Sequence, residues 1–383
     1  MRSASFLRLR EDDRAKVKRE EMKQEATGDS ISRRSLLGEV GLVAAGLSIG
    51  ALARDTAGAA ETSAPPRPRL PLRIFAEGRL KDANAARIAA ISPQIALLRD
   101  RKQWADELPT IDVIFGSISR DDFPKAKMLR WVQTGSAGVE SICYPELVSS
   151  DVVLTNAKGS YAPAIAEHVF ALLLGLTRGV VAHARQNQWG SRKSPVELRE
   201  MTMGIVGLGG IGRQTARRAK AFDMHVIAVD AEPMYAPPRY AMVDEVGLVQ
   251  DGLDDLLKRS DVVVCAAPLT SRSKGMFGEQ QFAAMKEGAY FINVSRGKLV
   301  QTDALLSALK SGHLAGAGMD VTDPEPLPAD HPLWQQPNAI ITSHIAGQSQ
   351  YSTQRVNDVF VENVRRYVND LPMLNIVDKQ KGY

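Results

Sequence analysis

Cysteine is nearly absent. Two in 383 residues, Cys143 and Cys265, are too few for a disulfide framework or a cysteine-built metal site. Cys265 falls inside the apolar run Asp261 to Pro268, so both cysteines are expected to serve as core packing. A surplus of one charge is missing too. The formal net charge is +4, and outside the first 59 residues 37 basic side chains face 35 acidic ones. That leaves no cationic excess for a polyanion, and nucleic acid is not an expected partner. Long hydrophobic runs are also lacking. The Gly/Ala-rich run Val40 to Ala53 is too short to span a bilayer core comfortably, so no stable membrane span is expected. No solenoid-type repeat is present. What remains is ordinary globular composition, 44% hydrophobic and 24% charged, in a chain long enough for two core-bearing domains.

The most informative stretch is Met201 to Asp230. Thr202 to Val206 is a short apolar run of strand length that ends directly on glycine, as a buried strand would. Gly207, Gly209 and Gly212 then fall at G-x-G-x-x-G spacing. In such a turn the first glycine permits the tight bend, the second lets a pyrophosphate approach the backbone, and the third lets helix and strand pack closely. A helix follows from Ile211, with Ala216 and Ala219 to Phe222 on its inner face and Arg213, Arg217 and Arg218 outside. Free N–H groups at its start suit an anion. The second strand, His225 to Val229, ends in Asp230, where a carboxylate would accept hydrogen bonds from adenosine ribose hydroxyls and repel a 2'-phosphate. The expected cofactor is therefore NAD rather than NADP.

Residues 1–59 read as an export leader. A charged segment without helical apolar periodicity is followed by Ser32-Arg33-Arg34-Ser35-Leu36-Leu37, the apolar run, and Ala57-Gly58-Ala59, a small-x-small cleavage pattern. This resembles a twin-arginine signal and implies a periplasmic location, with a cytoplasmic one as the alternative. Residues 60–71 are a Pro-rich linker.

From Leu72 the chain alternates strand-like and helical runs. Leu72 to Ala76, Ile111 to Phe115 and Leu129 to Gln133 are expected strands, with an Ala-rich helical stretch from Ala83 to Leu98. The small-residue loop Thr134 to Glu140 offers backbone amides to a carboxylate. Pro163 opens a helix, apolar almost all round, that leads into the glycine-bearing domain. Beyond Asp230 further strands are expected at Asp261 to Ala267, Ala289 to Val294, Leu314 to Val321 and Ala339 to Thr342. The fold class is α/β, two Rossmann-like or flavodoxin-like domains with doubly wound parallel sheets. The expected organisation is a discontinuous substrate domain at 72–160, completed by 347–383, around a nucleotide domain at 161–346.

Ligands of such sheets bind beyond the carboxyl ends of the strands. Three polar residues stand there: Arg296, after Asn293-Val294-Ser295; Glu325, after Asp320-Val321; and His344, at the end of Ile340 to Ser343. His331 and His168 read as packing or positioning residues.

With TGSAGVES, AEHVFALLLGLTR, GIVGLGGIGR, NVSRG, GAGMDVTDPEPLP, HPLW and TSHIAG in order, the chain from Leu72 to Tyr383 resembles the D-isomer-specific 2-hydroxyacid dehydrogenases. The resemblance implies that Arg296 orients a substrate carboxylate and carbonyl, that His344 is the acid and base, and that Glu325 pairs with it. It places the amides of Ala137 and Gly138 on the substrate carboxylate and Asp320 on the nicotinamide carboxamide. Gly210 and Ile211 would meet the pyrophosphate, and Pro268 and Val294 would line the cofactor site. It implies a homodimer acting on a small 2-oxo or 2-hydroxy acid, with glyoxylate or hydroxypyruvate the leading expectation. Glu140, where aspartate is common, and Ser343, where proline often stands, depart from the pattern, and neither is expected to touch the chemistry. The competing functions are an NAD(H)-sensing protein of corepressor type and phosphite oxidation. Formate oxidation is disfavoured because the similar enzymes carry glutamine at the position of Glu325.

Overall fold

The computed structural model describes residues 7–8, 70–76, 78, 80–186, 189, 194–232 and 242–383. Of the leader only Leu7–Arg8 (β1) falls within this set. The arginine pair and the cleavage pattern lie outside the described residues, as does most of the linker.

The first sheet is built from β2 (Leu72–Ala76), β3 (Ile95–Leu98), β4 (Val113–Phe115), β5 (Trp131–Gln133) and β6 (Val153–Thr155), with helix α1 (Asp82–Ala89) between β2 and β3. Its order is β3-β2-β4-β5-β6 and every pairing is parallel. The strands are apolar almost throughout because both faces are covered. The expected helix from Ala83 to Leu98 is corrected here. It stops at Ala89, and after Ser92-Pro93 the chain turns into β3, since the residue before a proline is pushed out of the helical region. The strand β6 was not foreseen.

Helix α2 (Ala162–Thr177) carries the chain to a second sheet. Its order is β1-β9-β8-β7-β10-β11-β12-β13, formed from β7 (Thr202–Val206), β8 (His225–Asp230), β9 (Glu245–Leu248), β10 (Val262–Cys265), β11 (Ala289–Asn293), β12 (Leu314–Met319) and β13 (Ala339–Ile341). All pairings from β9 to β13 are parallel. Only β1, at the edge beside β9, runs antiparallel. Helix α3 (Gly210–Ala221) follows β7, α4 (Val249–Arg259) follows β9, α5 (Glu279–Ala284) follows β10 and α6 (Thr302–Lys310) follows β11. One apolar layer joins the sheet to α4, α5 and α6, and another joins it to α2 and α3. Cys265 lies fully buried in the first layer, where burial pushes its thiol up to about 12. Phe222, expected on the inner face of α3, is 39% exposed and instead stacks on Phe170 at a centroid distance of 5.0 Å.

The last helix, α7 (Ser352–Val368), returns to the first sheet. Val356, Phe360, Val361, Val364 and Tyr367 enter its core, and Phe360 stacks on Phe115 with ring centroids 4.1 Å apart. Each such side chain contributes about 1.5–3 kcal/mol of burial, so α7 is a structural part of that sheet although it is distant in sequence. The chain therefore passes between the sheets twice, before α2 and before α7. The two passages touch: Arg355 Nη1 donates to the carbonyl of Ser160 at 2.7 Å, and a Cβ on Gly347 would lie 3.3 Å from the Tyr161 ring.

Among the described residues no helix is long and apolar enough to cross a membrane.

Candidate active site

The turn from β7 into α3 shows why the glycines are needed. Gly207 has φ +95°, and a Cβ on it would lie 2.7 Å from the backbone of Ala267 at the tip of β10. A Cβ on Gly212 would meet the carbonyl of Gly207 at 2.2 Å, so helix and strand are in closest contact there. Gly209 differs, with open space where its Cβ would be. That gap and the uncapped first turn of α3, with its outward N–H groups, are what a pyrophosphate requires. At the end of β8, Asp230 Oδ2 accepts from Leu208 N at 2.7 Å and Oδ1 from Ala231 N at 2.7 Å. Each oxygen keeps a further lone pair for a ribose hydroxyl. The residues present fit a dinucleotide.

Because β10, β11, β12 and β13 are parallel neighbours, the segments following them lie side by side about 4.8 Å apart. Pro268 follows β10 and is exposed, whereas the Val294 side chain is 5% exposed and belongs to the core, so Val294 can offer the site only its backbone. Arg296 follows β11. Its carbonyl accepts from Asn293 Nδ2 at 3.1 Å, and Nη1 donates to the carbonyl of Ser295 at 2.8 Å. Gly297 abuts the next loop so closely that a Cβ would lie 1.8 Å from the carbonyl oxygen of Thr322.

His344 follows β13 in a left-handed backbone conformation, φ +53°, uncommon for a residue with a side chain. Asp320, at the end of β12, accounts for it. This carboxylate is 2% exposed. It accepts from Thr342 Oγ1 at 2.6 Å, Ile345 N at 3.0 Å and Ala346 N at 2.9 Å, while its own carbonyl accepts from His344 N at 2.8 Å. Nε2 of His168 reaches Thr342 Oγ1 at 2.8 Å and lies 3.5 Å from Asp320 Oδ1. The resemblance puts Asp320 on the nicotinamide carboxamide; in the structure its oxygens also hold the turn that presents His344. His331 caps the short helix Pro332–Gln335 through Nδ1.

On this turn His344 Nδ1 meets Glu325 Oε1 at 2.7 Å, both side chains being about half exposed. Nε2 has no partner among the described residues. A carboxylate held on Nδ1 fixes the orientation and tautomer of the ring, leaving Nε2 to give or take a proton.

The loop after β5 completes the arrangement. A Cβ on Gly138 would lie 1.8 Å from Arg296 Nη2, so the guanidinium rests on that backbone position. Asn156 Nδ2 donates to the Ala137 carbonyl at 2.8 Å, and the Tyr161 hydroxyl donates to the Gly135 carbonyl. The loop of the first sheet and Arg296 of the second thus meet directly.

Comparison with known proteins decides what this arrangement belongs to. Residues 170–346 match the model of the D-isomer specific 2-hydroxyacid dehydrogenase NAD-binding domain. The chain is 35% identical over 251 residues to a glyoxylate reductase of Thermofilum pendens, covering 62% of this chain and 72% of that protein. It is 32% identical over 296 residues to a glyoxylate reductase of Korarchaeum cryptofilum, covering 75% and 87%. The chain belongs to the D-isomer-specific 2-hydroxyacid dehydrogenase family.

As a 2-hydroxyacid dehydrogenase it is an oxidoreductase of NAD(P)-dependent type with two parallel-sheet α/β domains. Among solved structures it resembles the NADPH-dependent glyoxylate/hydroxypyruvate reductase of Sinorhizobium meliloti, bound to NADP and sulfate, with 27% identity and a TM-score of 0.69 over 82% of this chain and 100% of that one. One contact of this dehydrogenase was not foreseen. Glu140 Oε1 lies 3.2 Å from Arg296 Nε, so the expectation that Glu140 stands clear of the chemistry is corrected. The two residues are far apart in sequence, and only the meeting of the two domains brings them together.

Proposed function

We propose that the enzyme interconverts a small 2-oxo acid and its D-2-hydroxy acid, with glyoxylate or hydroxypyruvate as the 2-oxo acid. The observation that carries this reading is the His344–Glu325 hydrogen bond of 2.7 Å beyond the strand that neighbours the Asp320 turn. NADH, when bound, supplies the hydride. Arg296 and the backbone at Ala137 and Gly138 grip the substrate carboxylate, a cation with fixed donors being suited to a planar anion. His344 Nε2 holds the proton that goes to the carbonyl oxygen, and takes it back in the oxidation direction. Glu325 keeps the ring oriented through Nδ1.

The test follows NADH absorbance with a panel of 2-oxo acids. Turnover of glyoxylate or hydroxypyruvate is expected, and tight NADH binding with no turnover of any panel member would overturn the reading. The same assay reads cofactor choice. Asp230 supports NAD over NADP, and Asp230→Ser is expected to narrow that preference at least about tenfold, the equivalent of about 1.4 kcal/mol. An unchanged ratio removes Asp230 from the selection.

The leader belongs to this proposal as well: a twin-arginine signal over residues 1–59 exports the protein, folded, to the periplasm. Replacing Arg33 and Arg34 by Lys-Lys in a tagged protein should leave it in the cytoplasm, and unchanged fractionation would remove the signal. The homodimer is likewise proposed, from the family resemblance, and sedimentation equilibrium decides it.

A further inference from the structure

Glu140 shares one backbone position with Arg296. A Cβ on Gly138 would lie 2.6 Å from Glu140 Oε2 as well as 2.9 Å from Arg296 Cζ, so both charged groups rest over the glycine assigned to the substrate carboxylate. Ion pair and backbone hold the guanidinium from two sides, Glu140 at Nε and the Ser295 carbonyl at Nη1. Of the five N–H donors of an arginine, those on Nη2 and one on Nη1 remain, enough to grip a single carboxylate.

The charges make the selection. Arg296 is the cation of the site, and Glu140 offsets it. The field of Glu140 reaches further along the loop. The Cys143 thiol is held above its ordinary range, first by burial and then by Glu140. Lys379, the cation that opposes this effect at Cys143, has its ammonium committed to the carbonyls of Leu147, Ser150 and Val152. A substrate with one negative charge meets Arg296. A second negative charge within the span of a small acid meets the carboxylate of Glu140.

We infer that Glu140 is a specificity residue: it fixes Arg296 for a monoanionic 2-oxo acid and disfavours 2-oxo acids that carry a second carboxylate or a phosphate. This rests on the proposed 2-oxo acid site. Both side chains are about a third exposed, 33% for Arg296 and 38% for Glu140, so water and salt weaken the discrimination without removing it.

The experiment compares Glu140→Gln and Glu140→Asp with the wild type in the full chain at low ionic strength. It measures kcat/KM for glyoxylate and oxaloacetate. It also measures the affinities of the NADH-bound protein for oxamate and oxalate, which are nearly alike in shape and differ by one charge. Glu140→Gln should raise the oxaloacetate-to-glyoxylate ratio and the oxalate-to-oxamate ratio about tenfold, while Glu140→Asp keeps both near wild type. Unchanged ratios in Glu140→Gln, or a parallel loss for every ligand in both variants, would overturn the inference and leave Glu140 a merely structural role. Absence of turnover in the wild type would overturn the proposed reaction instead, and the oxalate-to-oxamate ratio would then decide the role of Glu140 by itself.

Discussion

His344→Asn is expected to lower kcat by about 10²–10⁴-fold, the span a positioned proton donor contributes, while NADH binding followed by fluorescence stays within about twofold. Asparagine suits the position because His344 sits at φ +53°, a conformation that asparagine tolerates better than alanine. The loss then reports the missing imidazole rather than a displaced turn. Glu325→Gln should fall between this variant and wild type, about 10-fold down, because the neutral amide can still accept from Nδ1 but makes a weaker hydrogen bond than the carboxylate and holds the ring less firmly. Turnover by His344→Asn within a few-fold of wild type would end the assignment of His344 as acid and base.

A second large effect is expected away from any atom that touches substrate. Asp320→Ala would strip the acceptor from two turn amides, Ile345 N and Ala346 N, and from the Thr342 hydroxyl, at a site only 2% exposed. Removing one member of a buried, charged hydrogen-bond network costs about 3–5 kcal/mol. Urea denaturation should show a loss of that size, and Asp320→Asn, which retains one acceptor oxygen, a smaller one. Under conditions where Asp320→Asn remains folded, kcat should still drop at least about tenfold, because His344 is presented by the turn that Asp320 holds. Wild-type stability together with wild-type kcat in Asp320→Ala would refute this account.

The features legible in the sequence were those written in short-range sterics. Gly207, Gly209 and Gly212 could be read because each answers a separate local demand, and the structure shows bend, open space and contact at the three positions in turn. Most strands of the second sheet were legible for a similar reason, since burial on both faces leaves their interiors apolar with no polar alternation. Short elements were lost. Val153–Thr155 and Glu245–Leu248 are too brief to show a period, and the alanines before Ile95 extended a helical pattern past its real end at Ala89. What the sequence could not carry was pairing between distant loops. Nothing local distinguishes Glu140 from a solvated charge until Arg296 is placed on Gly138. The hold of Asp320 on Ile345 and Ala346 is likewise invisible in the sequence, because these residues meet only where neighbouring strands end side by side.

The double passage of the chain between the sheets has a mechanical consequence. A body joined to another by one strand can swing and twist in any direction, whereas a door on two pins has a single easy motion. Ser160, Tyr161, Gly347 and Arg355 bring the two pins together. Two adjacent crossings leave the sheets fewer independent ways to swing and twist than a single crossing would.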